Sequence, residues 1–484
     1  MRLAALFVLT LALTASGARL LAQGASPAQQ HADQALQFAQ QGDLKSAESE
    51  LRKAVELSPG DSNFLTSLGG ILGMEGDLRQ ANTYLAKAVK LNPQDPASRR
   101  NLAANQWQLG QLKEAHQNLD LLLRANPRDK IATFLLGMVS EKEKAYARSA
   151  KLLESVPDVL AQQPDGWAAL ANSYYHTGRT ENARAALQRL LSPPANPRTV
   201  FLGGSIAMDA LDYSNAETLF RSVRSSYPDR AALESEIALA EYRSGHVAES
   251  ERTLLEAVKA NHATSSGYVL LCRMLSAEGS DLRALRIAAQ AAQAFPDSSD
   301  VLSTKGSVEL KLRYFKDAVA SYQKAAVLKD SAGVKRGLAT AQWNAGLREQ
   351  ATSTFEQAMR QFPRDAQTCQ VYGTLLLEDG SPENKARAVN LLKHALDLDQ
   401  SATEPRYQLA NLELTDGNPQ QALAYLESAI KLDPNDSRLH FALSRVYRRL
   451  GRDSDAGKET EIYQKLKAAE QPGARNDAAG GTHP

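Results

Sequence analysis

The chain has 484 residues, 43% of them apolar and 6% aromatic, which is enough apolar mass for a core packed mainly from small and aliphatic side chains. Its 56 basic residues are matched by 55 acidic ones, so the basic excess that a nucleic-acid surface needs is missing. Local patches of one sign are not excluded by that balance.

In chain order, Met1-Arg2 gives a short positive start and Leu3 to Leu13 is apolar except for Thr10. Small residues follow, so 1–22 reads as a secretory signal. The apolar run is well short of the ~20 residues of a membrane-spanning helix. No later stretch is apolar enough to span, and no Cys stands near the cut to take a lipid. Residues 23–29 form a polar lead. Residues 469–484, rich in Gly, Ala and Pro, lack apolar periodicity and are predicted to be a disordered tail.

Between them, over 30–468, one pattern recurs thirteen times. Its register mark is a small residue at Ala47, Ala81, Ala115, Ala150, Ala183, Ala216, Ser250, Ala284, Ala318, Ala351, Ala388, Ala422 and Ala456. The spacing is 33 to 35 residues, except for 37 between Ala351 and Ala388. Such a period means stacked copies of one supersecondary unit. In 164–197, Trp167, Leu170, Ala171 and Tyr174 share one helical face, Gly178 ends that helix, Ala183, Leu187 and Leu190 form a second stripe, and Pro193-Pro194 stops it. Residues 62–95 repeat the scheme. Asn92-Pro93, Asn126-Pro127 and Asp433-Pro434 are suited to turn and cap hydrogen bonds. The fourth unit lacks a turn glycine and ends irregularly at Pro157 and Pro164. The eleventh carries an insertion, Gly380 to Lys385, and His262 and Asp330 replace the usual proline in the seventh and ninth.

These residues resemble the tetratricopeptide repeat signature. Trp167-x-x-Leu170-Ala171-x-x-Tyr174 with Ala183 and Leu187 matches the unit, and Ala422-x-x-x-Leu426-x-x-Ala429 with Pro434 matches its second half. The resemblance spans about nine-tenths of the chain. It implies an all-α, right-handed superhelical solenoid of about 26 helices in antiparallel pairs, whose first helices line a concave binding groove. The chaperone-tail clamp of some relatives is not traceable, because Asn172 and Asn411 lack the preceding Lys.

No metal or cofactor motif is present: the eight His residues are single, and neither His-Glu-x-x-His nor Cys-x-x-Cys occurs. The segment Gly451 to Lys458 has the wrong spacing for a phosphate loop. Cys272 and Cys369 lie three repeats apart, too far for a disulfide, and read as small buried residues. No catalytic constellation emerges, so no enzyme activity is expected. What remains is a surface. Trp107, Tyr175, Tyr242 and Trp343 stand eight residues before their register marks, with Phe201 and Tyr407 on about the same face. Arg100, Asn172, Arg273, Arg336, Asn411 and Arg445 are the polar candidates beside them, and aromatic and Arg side chains are what protein-binding hot spots favour. The last repeat carries a basic excess suited to capping the solenoid or to an acidic partner.

The sequence therefore predicts a non-catalytic scaffold, exported to the periplasm or beyond, that holds protein or peptide partners in its groove. A carbohydrate-binding helper in polysaccharide export is the alternative.

Overall fold

The computed structural model describes residues 26–469, all-α throughout. The predicted signal 1–22 and nearly all of the tail lie outside the described residues. The chain divides into two compact units, one ending at Thr253 and one beginning at Leu254.

The first unit contains six complete hairpins and part of a seventh. They are α1 (Pro27–Gln40) with α2 (Leu44–Leu57), α3 (Ser62–Glu75) with α4 (Leu78–Leu91), and α5 (Pro96–Gln108) with α6 (Leu112–Ala125). Next come α7 (Lys130–Lys142) with α8 (Tyr146–Glu154) and the short α9 (Pro157–Gln162), then α10 (Pro164–His176) with α11 (Thr180–Gln188). Last are α12 (Pro197–Asp209) with α13 (Tyr213–Ser222), and α14 (Arg230–Arg243), which leads into α15 (Val247–Lys259). The second unit pairs α16 (Ser265–Ala277) with α17 (Asp281–Ala294), α18 (Ser299–Lys311) with α19 (Phe315–Leu328), and α20 (Ala332–Asn344) with α21 (Arg348–Gln361). It continues with α22 (Ala366–Asp379) and α23 (Pro382–Leu398), α24 (Glu404–Thr415) and α25 (Pro419–Leu432), and α26 (Ser437–Arg449) and α27 (Asp453–Ala469).

Every hairpin turns through one left-handed residue. Ten are glycines, from Gly42 at φ 81° to Gly451 at φ 70°, and three are Lys144, Leu211 and Arg313 at φ 62° to 64°. Glycine adopts this region without steric cost, whereas a side chain pays for it. Counted from these turns, the fourth register mark is Ser149, not Ala150. Ser149 is fully buried and accepts a hydrogen bond from Ser173 Oγ at 3.0 Å, which restores a regular period across that repeat. The other twelve marks are buried as the sequence predicted.

Seven residues before each turn, the first helix also carries a small buried residue, such as Ala35, Gly69, Ala103, Gly204, Gly306 or Ala410. A β-carbon on Gly69 would lie 2.6 Å from Leu85 Cγ and 3.2 Å from the Ala81 carbonyl oxygen, so backbone and side chain of the second helix already fill that space. The paired helices thus approach through two facing small residues, and larger side chains interdigitate around them. Cys272 occupies this same position and is buried with its Sγ 3.6 Å from the Ala284 carbonyl oxygen. Both cysteines are free.

Caps place the helix starts. Asp61, Asp129, Thr264, Ser331 and Asp365 each accept a backbone N–H from the first turn of a first helix. Asn126 and Asp433 do not cap: they end second helices and accept the N–H two residues on, from Arg128 and Asn435. The first helix starts at Pro27, earlier than the predicted 30, because Ser26 caps it and Pro27 needs no N–H partner. Pro157 breaks the fourth repeat's second helix and starts α9, whose Leu160 packs where a β-carbon on Gly166 would sit 2.6 Å away. The eleventh-repeat insertion is not a loop. Gly380 forms the turn, Ser381 the cap, and residues 382–385 extend α23 to 17 residues.

Candidate functional site

Within each unit, consecutive first helices touch one another: α3 with α5, α5 with α7, α7 with α10 and α10 with α12, then α16 with α18 and so on to α24 with α26. Successive second helices make no contact of comparable extent and pack instead on the first helix that follows. The first helices therefore form the closer-packed face, and the candidate residues all stand on them.

Their fates differ. Four are braces. Arg100 on α5 reaches Asp129 at 2.6 Å, the residue that caps α7, and both side chains are largely buried. Arg336 on α20 repeats the device 2.7 Å from Asp365, the cap of α22, and also donates to Gln367. Asn172 donates to the buried Glu141 at 2.5 Å. Tyr175 donates to Asp212 at 2.8 Å, and burial pushes its hydroxyl up to about 12. Burial opposes the charge of Asp212, but hydrogen bonds from Arg184 and Tyr175 outweigh it and hold its pKa below the usual value.

Three candidates are packing residues. Trp343, a groove candidate from the sequence, is only 6% exposed and is a core residue instead. It meets Tyr372 edge-on at 6.3 Å and carries the Arg348 guanidinium 4.0 Å above its face. Phe201 stacks on Tyr227 at 4.4 Å, and Trp107 lies half-buried against the core of the first unit. Tyr407 is intermediate: half-buried, with Arg438 at 5.3 Å over its ring and that arginine also paired to Glu404 and Asp436.

Four remain open. Tyr242 is 40% exposed. Arg273 and Arg445 are exposed and Asn411 is half-buried. None of these four side chains makes a hydrogen bond or ion pair with another described residue.

Sequence reasoning missed two features of the face. Phe441 on α26 is 46% exposed and packs at 5.2 Å on Tyr463; its position four residues before Arg445 was the available signal. Glu236 on α14 is half-buried, and burial together with the nearby Asp209 raises its pKa. Only the three-dimensional neighbourhood reveals it. The Cys272 thiol is pushed up to about 12 by burial, which suits a packing role and not a nucleophile. Among the described residues no group of three His, Cys, Asp or Glu could hold a metal, and no helix is long and apolar enough to cross a membrane.

Helical hairpins joined by left-handed turns, with facing small residues at a fixed spacing, define a helical-repeat protein. Tetratricopeptide repeat models match residues 32–96, 74–135, 169–192, 201–266 and 407–471, together more than half of the chain. The chain belongs to the tetratricopeptide repeat family. No curated protein matches it in sequence. Among solved structures it is similar to yeast Tom70, with 16% identity, 91% of this chain and 92% of that chain covered, and a TM-score of 0.43. It is also similar to the APC/C hetero-tetramer Cut9-Hcn1, with 14% identity, coverage of 87% and 96%, and a TM-score of 0.41. For Pseudomonas aeruginosa pilF the values are 21%, 42% and 92%, and 0.35.

Proposed function

We propose that this protein is a non-catalytic scaffold of the cell envelope or periplasm that holds a partner protein, through an extended segment, along the first-helix face. The observation behind this reading is the set of open side chains on first helices, Tyr242 in the first unit and Arg273, Asn411 and Arg445 in the second, which make no hydrogen bond or ion pair with another described residue. Side chains of this kind recur at energetic centres of protein interfaces. Membership in a family that binds protein partners supports the same reading, and the apolar start of the sequence supports export.

The test is photocrosslinking in intact cells, with the reactive amino acid placed at Tyr242 or Arg445 and, as controls, at the exposed second-helix residues Lys316 and Gln323. Discrete protein adducts from the first pair alone, in a periplasmic fraction, are expected. Equal labelling from both faces, or binding of the purified protein to polysaccharide but to no peptide, would overturn the reading.

A further inference from the structure

A cavity of about 410 Å³ opens on the first-helix face of the second unit, between α16 and α18. Arg273, Ser276, Ser303, Thr304, Ser307 and Lys311 supply its polar lining. Their hydrogen bonds decide what can enter. Ser303 and Thr304 donate their protons to the Asp300 carbonyl oxygen, Ser276 donates to Asp281, and Ser307 shares a hydrogen bond with the Tyr322 hydroxyl. Lys311 binds Asp281 at 2.9 Å and donates to the Ser276 carbonyl oxygen at 2.5 Å. Lys311 also donates to the Ser276 hydroxyl oxygen at 3.3 Å, so the oxygens of Ser303 and Thr304 keep the free lone pairs, beside one uncommitted cation, the exposed Arg273.

The complement of such a lining carries one negative charge for the guanidinium and adjacent N–H donors for the hydroxyl oxygens. A dianion fits poorly, because the protons of Ser276, Ser303 and Thr304 are spent and Lys311 is already neutralised by Asp281. A sugar fits poorly as well, because the lining contains no aromatic ring to stack on. We infer that this cavity receives an acidic residue of an extended peptide, its carboxylate paired with Arg273 and its backbone N–H groups directed at the serine and threonine oxygens. Arginine's planar fork suits a carboxylate in two-point contact. The inference rests on the scaffold reading above and adds the chemistry of the bound segment and the place where it is read.

The experiment uses the full chain and a fluorescein-labelled peptide of alternating Gly and Glu, followed by anisotropy, with the Gly/Gln peptide as its uncharged match. The Glu peptide should bind more tightly than the Gln peptide and lose affinity with added salt. Arg273→Ala should weaken it about tenfold, the scale of one charge-assisted hydrogen-bonded pair. Arg273→Lys should restore part of that loss, and Lys316→Ala, which removes the same charge from α19, should leave binding unchanged. Equal binding of Glu and Gln peptides, or an Arg273→Ala variant of unchanged circular dichroism that binds like the parent, would overturn the inference. Protein adducts at Tyr242 and Arg445 would leave the scaffold reading standing in either of those cases.

Discussion

Replacing Leu211 by glycine should stabilise the protein, and replacing Gly76 by alanine should destabilise it, although neither change removes a contact of consequence. Leu211 turns the α12–α13 hairpin at φ 62° and is 69% exposed, so little burial is lost with its side chain. Holding a non-glycine residue in the left-handed region costs about 1–2 kcal/mol. Glycine returns about 0.5–1 kcal/mol of that as extra freedom in the unfolded chain. The net gain for Leu211→Gly is therefore about 0.5–1 kcal/mol. At Gly76, φ is 87° and a β-carbon would meet nothing within 4 Å, so backbone strain less the same unfolded-chain term gives an expected loss of about 0.5–1 kcal/mol. A repeat array need not unfold in one step, so the assay is hydrogen exchange resolved by hairpin, with urea unfolding alongside. Protection should rise around α12 and α13 in the first variant and fall around α3 and α4 in the second. A destabilised Leu211→Gly, or a neutral Gly76→Ala, would refute the reasoning, because it would mean that turn conformation is not what these residues are selected for.

Arg100→Ala should cost about 2–3 kcal/mol, because Asp129 keeps a buried charge that has lost its partner; urea unfolding with local hydrogen exchange at α5 and α7 checks this. Trp343→Ala should cost about 3–5 kcal/mol as a core truncation, whereas Tyr242→Ala should stay within about 0.5 kcal/mol of the parent yet weaken partner crosslinking; thermal melts beside capture assays separate the two. Glu236→Gln should raise the melting temperature at neutral pH and leave it unchanged below about pH 4.5. Burial and Asp209 raise this carboxyl's pKa in the folded state, so between the unfolded and folded values the native protein binds more protons, and its stability falls as pH rises through that window. A melting-temperature difference that is the same at pH 4 and pH 7 would count against it.

The repeat was legible because its marks are imposed by the hairpin's own geometry. A helix pair that approaches closely needs facing small residues in every copy, and a left-handed turn favours glycine wherever nothing opposes it. Leu211 and Arg313 escaped this reading because the neighbouring backbone hydrogen bonds, such as Asp212 N–H to the Ala207 carbonyl oxygen at 2.8 Å, fix the turn whatever its residue. The fourth mark slipped by one because Ser149 and Ala150 are adjacent small residues, and only the turn tells which faces the crossing. The face chemistry was less legible for a different reason. Trp107, Tyr175, Tyr242 and Trp343 share one register position, but whether such a ring is exposed depends on what the next hairpin offers. Tyr175 meets Asp212 and becomes a brace, Trp343 meets Tyr372 and becomes core, and Tyr242 makes no hydrogen bond to another described residue and stays open.

The crossings also show why position alone underdetermines residue identity. At some crossings the two helices trade volume, while at others Gly69, Ala103 and Ala171 alike face a leucine. Where the first helix has Gly204 or Gly306, the second supplies Phe220 or Tyr322, and a β-carbon on either glycine would lie 2.5 Å or 2.8 Å from the facing ring. Where the first helix has Ala171, the facing residue nine after the turn is Leu187. Where it has Cys272, that residue shrinks to Ala288, which is itself buried. A sulfhydryl is larger than a methyl group, so the second helix yields the difference. The cysteine needs no redox or metal role to explain it. At these crossings the interior of the hairpin is set by pairwise compensation, whereas on the first-helix face residues such as Arg100 and Tyr175 answer to the next hairpin and Arg273 and Arg445 to no other described side chain. That freedom lets side chains such as Arg273 and Arg445 vary without cost to the fold, which makes the face the part of the chain on which partner recognition can act.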